Sequence, residues 1–173
     1  LFSFNSKENT KVVGTVMTNY GIRKSLEKNG IDFLETDVGD KNVLQSIINN
    51  HAFIGAESSG HIIHTNIAGI PIGDGLVTMV KFIHLLYDLD NNINAIYPTS
   101  LKIPSKLINI ESMSPVDFLK KNQLIFSKVE KILENNGRIL VRKSGTQSLI
   151  RVLIEHESSE ILRDAEKIIK SIP

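Results

Sequence analysis

Short apolar runs alternate with longer periodic stretches through the first half of the chain. Lys11–Met17 (KVVGTVM) reads as a buried strand, and Thr18 and Asn19 turn it into a helix over Tyr20–Asn29. Ile22 and Leu26 share one face of that helix, and Gly30 stops it. Ile31–Thr36 is a second strand. The next helix covers Lys41–Asn49, with Val43, Leu44, Ile47 and Ile48 as its apolar stripe. Ala52–Ala56 is a third strand, Glu57–Gly60 a turn and His61–His64 a return strand. A loop over Ala68–Gly73 opens a long helix, Asp74–Asp88, that is apolar nearly all round and so is expected to be largely buried. Residues 1–10 lack periodicity and read as an irregular lead-in. Strand–helix alternation of this kind predicts a parallel α/β sheet with right-handed crossovers. Ligands of such sheets sit beyond the carboxyl ends of the strands. The turns at 18–19, 37–40 and 57–60 fall there.

The pattern changes over Asp88–Pro104, which is polar and then carries two prolines. A domain boundary is expected here, dividing the chain into 1–95 and 96–173. A strand at Ser105–Ile110 begins the second domain. A helix from Pro115 to Asn135 follows, with Ser114 as N-cap, Pro115 at the first position and Asp117 in the first turn. Gly137 ends it. Strands Arg138–Val141 and Leu149–Ile154 are joined by a turn over Arg142–Ser148. A last helix, Ser159–Ile172, presents Ile161, Ala165, Ile168 and Ile172 as a core stripe. The fold class is therefore α/β followed by a small α+β domain with helices packed on an antiparallel sheet.

Composition narrows the function classes. With 20 Lys+Arg against 19 Asp+Glu the chain lacks the basic excess of a dedicated nucleic-acid binder. It has no cysteine, which excludes disulfides, thiolate metal ligands and a cysteine nucleophile, and fits a cytoplasmic setting. Its apolar runs are too short to span a bilayer, so no membrane partner is expected. The first residue is Leu1 rather than Met, so the sequence reads as a fragment of a longer protein.

Two polar turns carry the candidate chemistry. In the turn over 142–148, Gly145 permits close backbone approach, and successive N–H groups can form an anion nest. Ser144 and Thr146 add hydroxyl donors, Lys143 a further cation, and Arg142 and Arg151 supply guanidinium forks that match phosphate. Polar hairpin tips of similar composition also occur without any ligand, and residue types alone leave both readings open. The stretch Gly55–His61 (GAESSGH) sets Glu57, Ser58, Ser59 and His61 on one turn at a strand end. These groups suit sugar hydroxyls and proton shuttling, but residue types alone favour a tight hairpin with solvated polar tips. Asp40 and Asp74 read as N-caps that also shape their loops. His61 and His64 lie three apart in a strand, on opposite faces, and make a poor metal pair. No Ser-His-Asp arrangement, Walker loop or dinucleotide fingerprint is present. The chain shows binding chemistry without a catalytic engine.

GAESSGHI at 55–62 resembles the sugar-binding G-E-x-S-G-H loop of the α-D-phosphohexomutases. RKSGTQSLIRV at 142–152 resembles their C-terminal phosphate loop, R-P-S-G-T-E-P-x-x-R-V, and Gly73-Asp74-Gly75 resembles their G-D-G helix start. VVGTVMTNYG at 12–21 and VGDKNVL at 38–44 resemble the bacterial phosphoglucosamine mutase branch in particular. The resemblance implies a four-domain enzyme of which this chain matches the third and fourth domains. Such enzymes, phosphoproteins that depend on magnesium, move phosphate between the 6- and 1-positions of a hexose phosphate through a bisphosphate. In the glucosamine branch this supplies a peptidoglycan precursor.

The family's phosphoserine loop and magnesium loop belong to domains one and two, and neither motif occurs here. The chain alone is then expected to be inactive, its partners being a hexosamine phosphate and the N-terminal domains. By the same resemblance Glu57 and Ser59 grip sugar hydroxyls, and His61 contacts the sugar or carries a proton. Arg142, Ser144, Gly145, Thr146 and Arg151 hold the non-reacting phosphate. Gly39 and Asp40 serve the substrate side, Asp40 standing where mutases of other specificity often carry His. Lys143 replaces the pattern's Pro, and Gln147 and Ser148 replace Glu-Pro.

Overall fold

Val13 is fully buried at the middle of the first strand, and the first sheet grows outward from it. A computed structural model describes residues 10–65, 70–96, 101–144 and 147–172. The lead-in expected at the N-terminus, apart from Thr10, the start of the loop at Ala68, and two expected phosphate ligands, Gly145 and Thr146, lie outside the described residues. The chain divides into two units, Leu1–Lys102 and Ile103–Pro173. The composition shift behind the expected division at 95/96, Asp88–Pro104, spans the boundary between the two units.

The first unit runs β1 (Lys11–Thr15), α1 (Tyr20–Lys28), β2 (Asp32–Thr36), α2 (Asp40–Asn50), β3 (Ile54–Ala56), β4 (Ile62–His64), β5 (Ile72–Gly73), α3 (Gly75–Asp88) and a single turn, α4 (Ile93–Ile96). Its sheet has the order β2-β1-β3-β4-β5. β1 is parallel to both β2 and β3, but β4 pairs antiparallel with β3 and β5 antiparallel with β4, so the sheet is mixed rather than parallel throughout. The turn after β3 is too short for a crossover helix, which forces the reversal. Val43 and Ile47 of α2 bury against Val13, Ala52 and Ile63. Each such aliphatic side chain contributes about 1.5–3 kcal/mol by leaving water. Gly55 makes that packing possible: a Cβ there would lie 2.5 Å from Val43 Cγ1 and 2.6 Å from Ile47 Cδ1.

The long helix departs from expectation. α3 has no fully buried residue, and Leu76, Met79, Val80, Phe82, Ile83 and Tyr87 are all exposed. Apolarity on every side gave the expectation of burial; within the described residues only one side finds a neighbour.

The second unit runs β6 (Ser105–Glu111), α5 (Pro115–Lys121), α6 (Gln123–Leu133), β7 (Gly137–Lys143), β8 (Leu149–His156) and α7 (Ser159–Lys170). Its antiparallel sheet has the order β6-β8-β7. Ile150, Val152 and Ile154 alternate along the central strand and pack with Val129 and Leu133 of α6 and with Leu162, Ala165 and Ile169 of α7. The stripe expected on α7 is shifted: of its four members only Ala165 is in the buried set, and Ile161, Ile168 and Ile172 flank it. The helix expected over 115–135 is also two helices. It breaks at Asn122, whose amide side chain donates to the Phe118 carbonyl at 3.0 Å and so closes α5 from within.

Candidate functional site

In the first unit two loops are tied together. Gly39 sits at φ 123°, ψ 129°, a conformation that L side chains rarely adopt. Its N–H donates to Glu57 Oε1 at 2.7 Å, across eighteen residues of sequence. Glu57 follows β3 directly, and the turn after it closes through Gly60 N–H to the Glu57 carbonyl (3.0 Å) and Glu57 N–H to the His61 carbonyl (2.9 Å). The Glu57 side chain is only 13% exposed, whereas that of His61 is 72% exposed. Ser59 Oγ lies 3.4 Å and Glu57 Oε2 3.8 Å from His61 Nδ1. Both approach the same ring nitrogen, so these three groups do not form a nucleophile–base–carboxylate relay, which needs opposite nitrogens. They form a small polar cluster of one carboxylate oxygen, one hydroxyl and one imidazole, groups able to bond to hydroxyls.

Asp40 differs from its expected capping role. The N-cap of α2 is Gly39, which has no side chain to cap with, and Asp40 occupies the first helical position. Its Oδ1 accepts from Lys41 N–H at 2.7 Å, and its charge is favourable at the positive end of the helix. Asp74 does cap α3, accepting from Leu76 and Val77 N–H at 2.7 and 3.2 Å.

Beside His61 lies a cleft of about 420 Å³ lined by Gly60, His61, Ile62, Gly73, Asp74, Gly75, Thr78, Met79 and Phe82. Behind it is an arrangement that no spacing announced. The Thr78 hydroxyl donates to the Asp74 carbonyl at 2.9 Å, so its oxygen accepts from His64 Nε2–H, also at 2.9 Å. That fixes the His64 tautomer and leaves Nδ1 to accept from Lys81 Nζ at 3.5 Å. Burial, and then the Lys81 ammonium, hold the His64 pKa below its ordinary value. His64 is a neutral positioning residue for the start of α3. His61 precedes β4 rather than lying in it, so the two histidines belong to different local structures. Among the described residues no group of three or more His, Asp or Glu side chains is placed to hold a metal ion. No helix among them is long and apolar enough to cross a membrane.

In the second unit the candidate site is the β7–β8 hairpin. Arg142 and Lys143 belong to β7 rather than to the turn. Arg142 is in register with Arg151 of β8, and Asn109 of β6 is in register with Arg151 on its other side. Alternation puts this row on the face away from the Ile150–Val152–Ile154 core, and Lys143 on the other face with Ile150. Four residues along the same strands, Arg138 is in register with Glu155 and bonds it at 2.6 Å. Among the described residues Arg142 and Arg151 have no carboxylate within ion-pair distance. Ser144 N–H donates to the Leu149 carbonyl (2.9 Å), which closes the hairpin mouth. Ser112 N–H ties the end of β6 to the Ser148 carbonyl (3.1 Å). Two opposed guanidiniums without a counter-charge repel each other and are relieved by an anion.

Comparison with known proteins agrees with the division into units. Residues 2–102 match the family model described as phosphoglucomutase/phosphomannomutase, alpha/beta/alpha domain III, and residues 103–171 match its C-terminal domain. A phosphoglucosamine mutase of Natranaerobius thermophilus is 36% identical over 159 residues, covering 91% of this chain and 36% of that protein. One from Buchnera aphidicola subsp. Baizongia pistaciae is 35% identical over 157 residues, covering 87% and 34%. The chain thus spans about a third of the length of these relatives. Among solved structures, an N-acetylglucosamine-phosphate mutase in its substrate complex superposes with a TM-score of 0.73 at 18% identity. The match covers 97% of this chain and 39% of that one. An Aspergillus fumigatus N-acetylphosphoglucosamine mutase in complex with GlcNAc-6P and magnesium gives 0.69 at 20% identity, covering 94% and 41%. At these identities the structural likeness shows the fold alone.

Proposed function

Because the chain belongs to the α-D-phosphohexomutase family, we propose that it is the substrate-binding C-terminal portion of a phosphoglucosamine mutase. The reaction is interconversion of glucosamine 6-phosphate and glucosamine 1-phosphate through a bisphosphate. The first unit supplies Glu57 and Ser59 as acceptor and donor for sugar hydroxyls, with His61 beside them and Gly39 and Asp40 shaping the neighbouring loop. The second supplies the phosphate grip of Arg142, Ser144, Gly145, Thr146 and Arg151. Lys143, on the opposite face of the strand, adds only general positive charge.

The observation that carries this reading is the contrast within one strand pair. Arg138 is neutralised by Glu155, whereas Arg142 and Arg151 face each other with no partner among the described residues. An unneutralised guanidinium pair on an otherwise well-satisfied sheet is a site built for an anion. The glucosamine preference is supported by relatives at 36% and 35% identity that carry that name.

Phosphoryl transfer needs a nucleophile partnered with a base, and the described residues offer none. Among the described residues no group of three or more His, Asp or Glu side chains is placed to hold magnesium, and the reading assigns the metal ligands to other parts of the enzyme. Calorimetric titration tests the proposal. Glucosamine 6-phosphate binds the chain weakly, is not turned over with magnesium and a bisphosphate activator, and loses at least about tenfold in affinity on Arg142→Ala, as expected for one charge-assisted contact. Robust turnover by this chain, or affinity indifferent to Arg142→Ala and Glu57→Ala, overturns it. Equal binding of mannose and glucose phosphates would move the specificity to the phosphomannomutase/phosphoglucomutase branch.

A further inference from the structure

α3 carries two apolar faces where a helix on one side of a sheet needs only one. Val77, Thr78, Lys81 and Leu85 form its half-buried side, and Thr78 and Lys81 meet His64 of β4 there. Leu76, Met79, Val80, Ile83 and Tyr87 lie on the other side at i, i+3, i+4, i+7 and i+11, one continuous ladder with no charged residue in it. Their exposures run from 52% at Met79 to 78% at Tyr87. Apolar residues scattered singly over a surface need no explanation, but a contiguous stripe of this kind marks an interaction surface. Its lack of charge is the character of a permanent interface rather than a transient one.

The chain accounts for 36% of the Natranaerobius relative, and its units match what the family models number as domain III and the C-terminal domain. The remaining polypeptide of such an enzyme is the part that comes first in the family's order. We propose that the Leu76–Tyr87 stripe is the docking surface for an apolar face of that N-terminal portion. This rests on the functional reading above. A second copy of this chain could cover the same stripe only by competing with a polypeptide that the relatives carry tethered, one per chain, at an effective concentration reaching the millimolar range.

The test uses this chain and the separately purified N-terminal two thirds of the Natranaerobius thermophilus phosphoglucosamine mutase. Light scattering is expected to give a one-to-one complex, with hydrogen exchange of the α3 amides slowed at least tenfold. The double substitution Val80→Lys with Ile83→Lys, at exposed positions away from the cleft beside His61, leaves the circular dichroism and the glucosamine 6-phosphate titration unchanged and weakens the complex at least tenfold. Absence of a complex overturns the proposal, as does a complex indifferent to the double substitution. So does α3 protection already present in the chain alone, through self-association or the chain's own contacts. Docking without sugar-phosphate binding supports this surface and overturns the functional reading alone.

Discussion

The backbone N–H of Gly39 and the carboxylate of Glu57 meet at 2.7 Å, joining the start of α2 to the turn that follows β3. One oxygen of Glu57 is thereby committed to the protein, and only the other is left to meet a ligand. Glu57→Ala should cost about 1.5–3 kcal/mol of stability by removing a charge-assisted hydrogen bond and should also weaken sugar-phosphate binding. Glu57→Gln, which keeps an acceptor for Gly39, should restore most of the stability but not the affinity. Urea unfolding and calorimetric titration of the two variants separate the effects.

Gly39 itself admits a sharper test. Its φ of 123° is available to glycine at little cost, and a side chain there should destabilise by about 1–3 kcal/mol. Gly39→Ala is expected to lower the urea midpoint by that amount and to reduce affinity along with it, because the N–H that orients Glu57 moves. Unchanged affinity would mean that the contact is structural only.

Inorganic phosphate should stabilise the chain through Arg142 and Arg151. At a hundredfold excess over its dissociation constant the gain is about 2.7 kcal/mol, read as a rise in the thermal midpoint. Arg142→Ala should abolish that rise. In the absence of anion the same variant should be as stable as the parent or slightly more so, since a like-charge cross-strand pair has been removed. Arg138→Ala, which removes the guanidinium that neutralises the buried Glu155, should instead destabilise with or without phosphate, by about 3–5 kcal/mol.

His64 makes stability depend on pH in a defined direction. Its folded pKa is depressed, first by burial and then by Lys81, below the unfolded value of 6.5. The unfolded chain therefore binds the proton more readily, and the contribution of His64 is fully present above pH 6.5 and lost as pH falls toward the folded pKa. Chemical denaturation across this window should show a falling limb that His64→Asn removes.

Gly55 is expected to resist any substitution. A Cβ would contact Val43 and Ile47 of α2 at 2.5 and 2.6 Å, so Gly55→Ala should cost about 1–3 kcal/mol by overpacking. Because β3 leads straight into Glu57, the loss should appear in affinity as well as in the unfolding midpoint.

The sequence carried most of the element order and marked the polar turns after β3 and β7 as candidates, because period-two and period-3.6 patterns are local. It misjudged features decided by partners. Arg142 has the polarity of a turn residue, and only the length of β8 draws it into the strand opposite Arg151. Along α7, Ile161-Ala165-Ile168-Ile172 and Leu162-Ala165-Ile169 are both apolar ladders, and the packing of the sheet selects the second. For α3 the periodicity correctly reports apolar surface all round, but one of its faces meets no neighbour among the described residues. The His64–Thr78–Lys81 contact joins residues up to seventeen apart with no shared motif and left no trace in the pattern.

Interleaving Arg151 with Ile150 and Val152 on β8 also guards the assembly of the second sheet. A slip of one residue against β7 would exchange the two sides of the strand. It would drive a guanidinium into the space between α6 and α7 and turn isoleucine and valine out to water. The misaligned hairpin thus carries the penalty of a buried, unpaired charge, which far exceeds that of a poorly packed aliphatic. The guanidinium opposite Arg142 acts, while the chain is still folding, as a proofreader of strand alignment.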